Sequence, residues 1–343
     1  MPAKSAKLDL TRKQILAFRR MVQGLDDRRP ASAPALQRAA WAGLQDSMPR
    51  AALLSLHARL AGMTPGVWDG PPFVQVWGPR YSVYVVDAGD AAVFTLGRLP
   101  DTGRTRGVAE ALADRLATGL GGTRLTQSDA ARVLGAPANA LRYATLTGRV
   151  RIRWDGAKQA TLWMVPPPAI GPHAARLELA RRYLHVFGPS TPAAFAAWAG
   201  IAGPAGRAAF DSLGASLIPV RTPLGDAWIL AADEERLRRA PGETAPARLL
   251  PSGDAYFLLQ RPDQRALLVE DAADRDRLWT PRVWPGALLV GGVIAGTWRR
   301  AGATVAVETW RRLSSAERHA VEAEAASLPL HGLTRGIVTR WEP

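Results

Sequence analysis

At 343 residues the chain is longer than one ordinary domain, and 47% apolar with 22% charged side chains is an ordinary globular composition that excludes a disordered or fibrous protein. Its 44 basic side chains against 30 acidic ones leave +14, only four of the 44 being lysines (Lys4, Lys7, Lys13, Lys158). The absence of cysteine excludes disulfides, thiolate-held metal clusters and a thiol nucleophile.

Helices are predicted over Thr11 to Val22, Pro34 to Leu44 and Pro49 to Ala61, followed by a hairpin. Its strands are Phe73 to Trp77 and Tyr81 to Val86, and its turn is Gly78-Pro79-Arg80. Thr126-Gln127-Ser128-Asp129 then reads as a cap for a short helix that Gly135-Ala136-Pro137 breaks, and a second helix runs from Ala138 through Leu146 to Gly148. Next come the alternating run Arg149 to Trp154, a turn at Asp155 to Lys158, and the strand Thr161 to Val165. Two short helices and a hairpin form the order of a winged helix-turn-helix. A third set follows: helices at Pro172 to Phe187, Thr191 to Gly200 and Pro204 to Leu213, and strands Leu217 to Arg221 and Ala227 to Leu230 around Pro223 to Asp226. The hairpin turns near Gly78, Gly156 and Gly225 recur about every 70 to 80 residues, the kind of period that marks tandem modules. Beyond Pro241, Ala247 to Leu259, Ala266 to Val269, Leu288 to Trp298 and Ala303 to Trp310 look strand-like, and a helix is expected from Ser314 to Ser327. The predicted fold is therefore α+β: three tandem winged helix-turn-helix units (1–104, 105–168, 169–240) plus a C-terminal β-rich domain (241–343).

Residues 232 to 343 carry sixteen basic and fifteen acidic side chains, so residues 1 to 231, with 28 against 15, hold nearly all of the excess. A surplus confined to one part of a chain points to a polyanion, and arginine's bidentate fork suits phosphate. In the second hairpin, period-2 geometry puts Val150, Ile152 and Trp154 on one face and Arg149, Arg151 and Arg153 on the other. These arginines fit a phosphate-gripping wing; they also fit an edge strand kept from aggregating by its charge.

Several stretches resemble one family. Trp41 to Ser47, Pro49 to Arg59, Val74 to Arg80, Leu249 to Asp254 and Gly292 to Arg299, in that order, are similar to the tandem winged-helix DNA glycosylases of the AlkZ and YcaQ type. The resemblance spans Thr11 to Trp341. It implies a basic concave surface, a C-terminal β-domain and excision of alkylated bases, interstrand crosslinks included. The family's catalytic motif is Gln, an apolar residue, then Gln or Asp; here it falls on Gln45, Asp46 and Ser47, so the middle residue is acidic and the last a hydroxyl. Expelling an alkylated purine needs little acid assistance because the leaving group is already cationic. What remains is an oxocarbenium-like sugar to stabilise and a water to aim. Gln45 can orient that water; neither it nor Ser47 is a competent general base, and Asp46 is one. An extended backbone puts Gln45 and Ser47 on one side and Asp46 on the other, whereas on a helix none of the three share a face. The tripeptide fits helix punctuation equally, with Asp46 or Ser47 capping the helix that opens at Pro49.

The expected DNA contacts are Arg50, Gln75, Arg80, Arg124, Arg142, Arg149, Arg151, Arg153, Lys158, Arg207 and Arg221. His57 and Trp77 read as core residues. The scarcity of lysine argues against a Schiff base and hence against strand cleavage. No phosphate loop, dinucleotide fingerprint, HExxH or histidine spacing implies a cofactor or a metal, so none is expected. No apolar run approaches the roughly 20 residues that span a bilayer, and Met1 to Lys7 lead into no hydrophobic stretch. The sequence thus predicts a cytoplasmic, nucleoid-associated monomer acting on double-stranded DNA with alkylated bases, without a membrane partner. Its predicted activity is monofunctional hydrolysis of the N-glycosidic bond of bulky or crosslinked alkylpurines; the alternative is a non-catalytic winged-helix DNA-binding protein, regulatory or protective.

Overall fold

The computed structural model describes residues 7–47, 51–67, 72–156, 159–239, 242–258, 261–330 and 336–342. The chain opens with β1 (Leu8–Asp9) and α1 (Arg12–Val22), the helix started by a reciprocal capping box between Thr11 and Gln14. There follow β2 (Arg29–Pro30), α2 (Ala33–Ala39), β3 (Leu44–Gln45), α3 (Ala51–Arg59) and β4 (Leu60–Ala61). The helix expected to reach Leu44 stops at Ala39, because Gly43 adopts a left-handed φ of 73° and the chain leaves it extended. Strands β5 (Phe73–Trp77) and β6 (Val83–Asp87) form the first hairpin.

Two helices absent from the prediction come next, α4 (Ala91–Leu96), wholly buried, and α5 (Arg104–Leu120), which buries Ala109, Leu112, Ala113, Leu116 and Leu120 at helical spacing. Beyond β7 (Leu125–Thr126), α6 (Gln127–Leu134) has the expected Thr126 cap and ends on left-handed Gly135. The helix predicted from Ala138 to Leu146 is instead a 3₁₀ run, Ala138–Thr147. The hydroxyls of Thr145 and Thr147 bond the carbonyls three residues back, Arg142 and Ala144, in keeping with that tighter winding. The second hairpin is β8 (Val150–Arg153) with β9 (Thr161–Met164), and Val150 and Ile152 are buried as their alternation predicts.

Helices α7 (Pro172–Phe187), α8 (Pro192–Ala199) and α9 (Gly203–Leu213) precede the third hairpin, β10 (Leu217–Thr222) with β11 (Gly225–Leu230), and α10 (Glu234–Arg238). The last region holds β12 (Ala247–Leu250), α11 (Pro262–Leu268), α12 (Ala272–Leu278), β13 (Gly286–Val290), β14 (Val293–Ala301), β15 (Thr304–Thr309), α13 (Ser315–Ala326) and β16 (Val338–Trp341). Two expectations are corrected here. The strand predicted over Ala247 to Leu259 ends at Leu250, where Pro251 and left-handed Gly253 turn the chain, and Ala266 to Leu268 close a helix rather than form a strand.

Helices and strands are mixed as predicted, but the sheets cross the anticipated unit boundaries. The first two hairpins join edge to edge through Gln75 opposite Ile152, giving a six-stranded sheet in the order β3-β6-β5-β8-β9-β7 among the described residues. Strand β1 adds in parallel to β10, so the N-terminus belongs with the third hairpin. Helix α1 accordingly packs Ile15, Leu16 and Phe18 against Tyr256, Phe257 and Leu267. Strands β12 to β16 form a separate sheet in sequence order.

Helix α3 is the tie between these bodies. It is buried along its whole length, with Leu53 and Leu56 in the core of the first unit and Leu54 in that of the C-terminal sheet. At its end Arg59 forms a two-armed ion pair with Asp254, Nη1 at 2.7 Å and Nη2 at 2.8 Å, both groups sealed from solvent. Burial pushes the Asp254 carboxyl up, but the Arg59 charge and hydrogen bonds outweigh it and hold the group below its usual 3.8. Elsewhere on the same helix, His57 meets the Ser327 hydroxyl at 3.0 Å, and burial, reinforced by the nearby charges of Arg28 and Arg248, holds its pKa down to about 3.

Removing one partner of a buried pair strands the other charge, so Asp254→Ala is expected to cost about 3–5 kcal/mol in urea unfolding. Because His57 is held neutral, its contribution to stability is complete above its ordinary value of 6.5 and declines as pH falls from there towards 3. His57→Gln should therefore flatten the fall of the thermal midpoint between pH 7 and pH 5; an unchanged slope would refute the assignment.

Candidate active site

Strand β3 pairs with β6, Leu44 opposite Val85 and Gln45 opposite Tyr84, and Asp46 N–H continues the ladder by donating to Val83 O at 2.8 Å. The chain can enter this strand only through glycine. A Cβ on Gly43 would sit 2.8 Å from the Tyr84 ring and 3.0 Å from Phe94, at a φ that disfavours any side chain. The backbone is thus paired through Asp46 and bends at Ser47, and burial alternates along it: Leu44 and Asp46 are buried, Gln45 and Ser47 half-buried.

Gln45 and Ser47 line a cleft of about 720 Å³ whose other walls are Arg80 and Ser82 of the first hairpin, Ala197 of α8, and the loops and helix around Ser252, Gly253, Arg261, Arg265, Arg282 and Trp284. Gln45 Oε1 is buried there without a hydrogen-bond partner. Ser47, Arg80 and Ser82 also border a second compartment of about 350 Å³, lined by Trp77, Tyr81, Arg142, Trp154, Gln127 and Gln159. The two compartments are thus neighbours that share Ser47, Arg80 and Ser82. No aspartate or glutamate is among the described residues that line either, whereas five arginines are. Such a surface accepts phosphate. Burial pushes the Tyr81 phenol up, so it stays protonated. Arg142 lies over the Trp77 ring at 5.7 Å, and Arg265 lies between Trp279 and Trp284 at 5.1 and 5.5 Å.

Arg80 and Tyr81 both hold positive φ, 55° and 58°. Two such residues in succession are costly for side chains other than glycine, and the strain sits at the point where the compartments meet.

The expected site residues separate into groups. Gln45, Ser47, Arg80 and Arg142 line one or both compartments. Asp46 does not, which corrects its candidacy as a base: it points inward, Oδ1 accepting from Ala52 N–H at 3.0 Å and Oδ2 from Gln75 Nε2 at 3.2 Å. Gln75 is likewise buried, its amide exchanging bonds with the Trp154 backbone, so it presents nothing to DNA. Arg124, Arg149, Arg151, Arg153, Arg207 and Arg221 line neither compartment. Arg149 is paired with Asp114 at 2.5 Å, Arg151 donates to Gly148 O at 3.0 Å, Arg124 covers Trp163, and Arg221 stands 4.0 Å from Asp226; Arg207 is exposed on α9. Arg50 and Lys158 lie outside the described residues. Sequence reasoning missed Arg261, Arg265 and Arg282, because fifteen acidic side chains in the same C-terminal stretch mask a basic face that only folding assembles.

A mixed α+β architecture with an arginine-lined cleft suits a protein that meets a polyanion. The family model for AlkZ-like DNA glycosylases matches residues 38–329, and the chain belongs to that family. Among solved structures, the Streptomyces sahachiroi DNA glycosylase AlkZ is similar with a TM-score of 0.78 at 20% identity, over 98% of this chain and 100% of that one, a likeness that shows the fold. No curated protein matches the sequence. No described helix is long and apolar enough to cross a membrane, and no described group of side chains is suited to hold a metal ion.

Replacing Arg80 by glycine separates strain from binding. Arg80→Gly should raise folding stability by up to about 1 kcal/mol in chemical unfolding. It should also weaken DNA binding and lower the slope of log affinity against log salt by about 1. An unaltered salt slope would remove Arg80 from the phosphate contacts.

Proposed function

We propose that this protein is a monofunctional glycosylase that hydrolyses the N-glycosidic bond of bulky or crosslinking alkylpurines in double-stranded DNA. The observation that carries the proposal is that Gln45, on β3, and Ser47, just beyond it, line the same arginine-lined cleft. Water adds to C1′ as the bond to the purine breaks, the bonding electrons neutralise the cationic base, and the water's proton passes to solvent. With its amide turned out into the cleft, Gln45 accepts through its oxygen a hydrogen bond from that water and aims the water's lone pair at the sugar, while Ser47 holds it from the other side. With no carboxylate in the described lining, the negative charge opposing the oxocarbenium sugar comes from the flanking DNA phosphates, themselves held by the arginines. A cationic leaving group makes this limited assistance sufficient. The chain holds only four lysines, Lys4, Lys7, Lys13 and Lys158, a scarcity that favours hydrolysis without strand cleavage. The breadth of the cleft supports a bulky lesion, since a large adduct is difficult to extrude into a tight pocket.

One observation favours a second reading, a DNA-binding protein without activity: Ser47 stands where the family motif has an amide or a carboxylate. Incubation with duplex DNA carrying a 7-alkylguanine, followed by hot alkali, distinguishes them. Strand breaks should form only after the alkali step. Gln45→Ala should reduce them about 100-fold or more while leaving DNA affinity in place. Absence of breaks with every adduct tried would favour the second reading.

A further inference from the structure

We propose that Asp46 and Gln75 are positioning residues, a buried strut that holds the segment bearing Gln45 and Ser47 against both α3 and the second hairpin. The inference rests on the catalytic reading of Gln45.

The geometry fixes the chemistry at both positions. Trp154 N–H donates to Gln75 Oε1 at 2.6 Å, which settles the orientation of the amide and turns its Nε2 towards Trp154 O at 3.0 Å and Asp46 Oδ2 at 3.2 Å. Both Nε2 protons are thereby used. The other Asp46 oxygen accepts from Ala52 N–H at the start of α3, an orphan donor of that helix. Position 46 must therefore offer acceptors on both oxygens, which a carboxylate does and a carboxamide does not. Gln75 is central in the six-stranded sheet, paired with Val85 on one side and Ile152 on the other, so its side chain bridges hairpins that meet at a single residue pair. Ser47 and Trp154, which the strut holds in register, line the second compartment together. The acid in the middle of the motif is thus explained without a catalytic role: it replaces an apolar anchor by a hydrogen-bonded one, and Gln75 is its counterpart. Because Trp154 lies where β8 enters the loop of the second hairpin, a load on that loop from bound DNA reaches Gln45 through two hydrogen-bonded side chains.

The test combines kinetics with amide exchange on the full chain, using Asp46→Asn and Gln75→Leu. Single-turnover release of a bulky 7-alkylguanine, the adduct that wild type releases fastest from duplex DNA, should fall at least about tenfold in each, with DNA affinity within about twofold of wild type, as expected of a misaligned rather than a missing catalytic group. In the free protein, amide exchange should accelerate at 44–47 and at Trp154 together in each variant. Gln45→Ala combined with Asp46→Asn should be no slower than Gln45→Ala alone, a non-additivity that general destabilisation does not produce. Undiminished release in both variants, or affinity lost in step with rate, would overturn the proposal. Absence of release by the wild type would instead sink the catalytic reading. The exchange result would then decide the strut: acceleration at both places supports it, and acceleration confined to the altered segment overturns it.

Discussion

The structure depends on the extended backbone that starts at Leu44 and Gln45 and is carried on by the Asp46 N–H bond to Val83 before the chain bends at Ser47. Had the chain continued α2 through these residues, the tripeptide would spread around a helix and no two of its side chains would face the same space. Pairing with β6 prevents this, and Gly43 permits it by fitting between Tyr84 and Phe94 where a Cβ would collide. The alternation that follows sends the acid inward and the amide and hydroxyl outward. A polar motif is thereby divided between a structural and an outward-facing half by the local backbone alone.

The cleft above that strand is assembled from parts far apart in sequence. Its floor comes from β3, one wall from the strained turn at Arg80, and the opposite wall from Ser252 to Gly253 and the arginines that follow. The register between these walls is set below the surface, where Arg59 of α3 grips Asp254 immediately after that loop. An ion pair so deeply buried adds little net stability over a well-packed apolar pair, but it tolerates few geometries, which suits a contact that positions two bodies.

Much of this organisation is legible in the sequence where local rules decide. The Thr126 cap, the Gly135 and Gly148 stops, the alternation of Val150 and Ile152, and the Ser314 capping box all carry their own signals. Other features are decided at long range. The apolar stripe of α1 announces a helix but not that its partners are Tyr256 and Phe257, and Gln75 looks like a surface amide on a hairpin until β8 closes over it. Helix α5, with Gly107, Thr105 and Thr118 among its residues, lacks a strong start signal, having Gly103 rather than a hydroxyl at its cap. At the site, the motif identifies Gln45 and Ser47, and the excess of arginine in the first 231 residues indicates a polyanion. Which arginines face the cleft is not readable, because charge totals carry no direction. Three of the five come from the nearly neutral C-terminal stretch, while Arg149, Arg151 and Arg124, at or near the second hairpin, are engaged by a carboxylate, a carbonyl and an aromatic ring.

The measurement that most directly tests the account is a structure of the protein bound to duplex DNA containing a cationic abasic-sugar mimic. The sugar should lie against β3 with a water held between the Gln45 amide oxygen and the carbon that bore the base, flanking phosphates on Arg80 and the C-terminal arginines, and Asp46 still bonded to Ala52 and Gln75. A sugar bound elsewhere, or an Asp46 carboxylate swung out to contact it, would contradict the division of the motif on which the account rests.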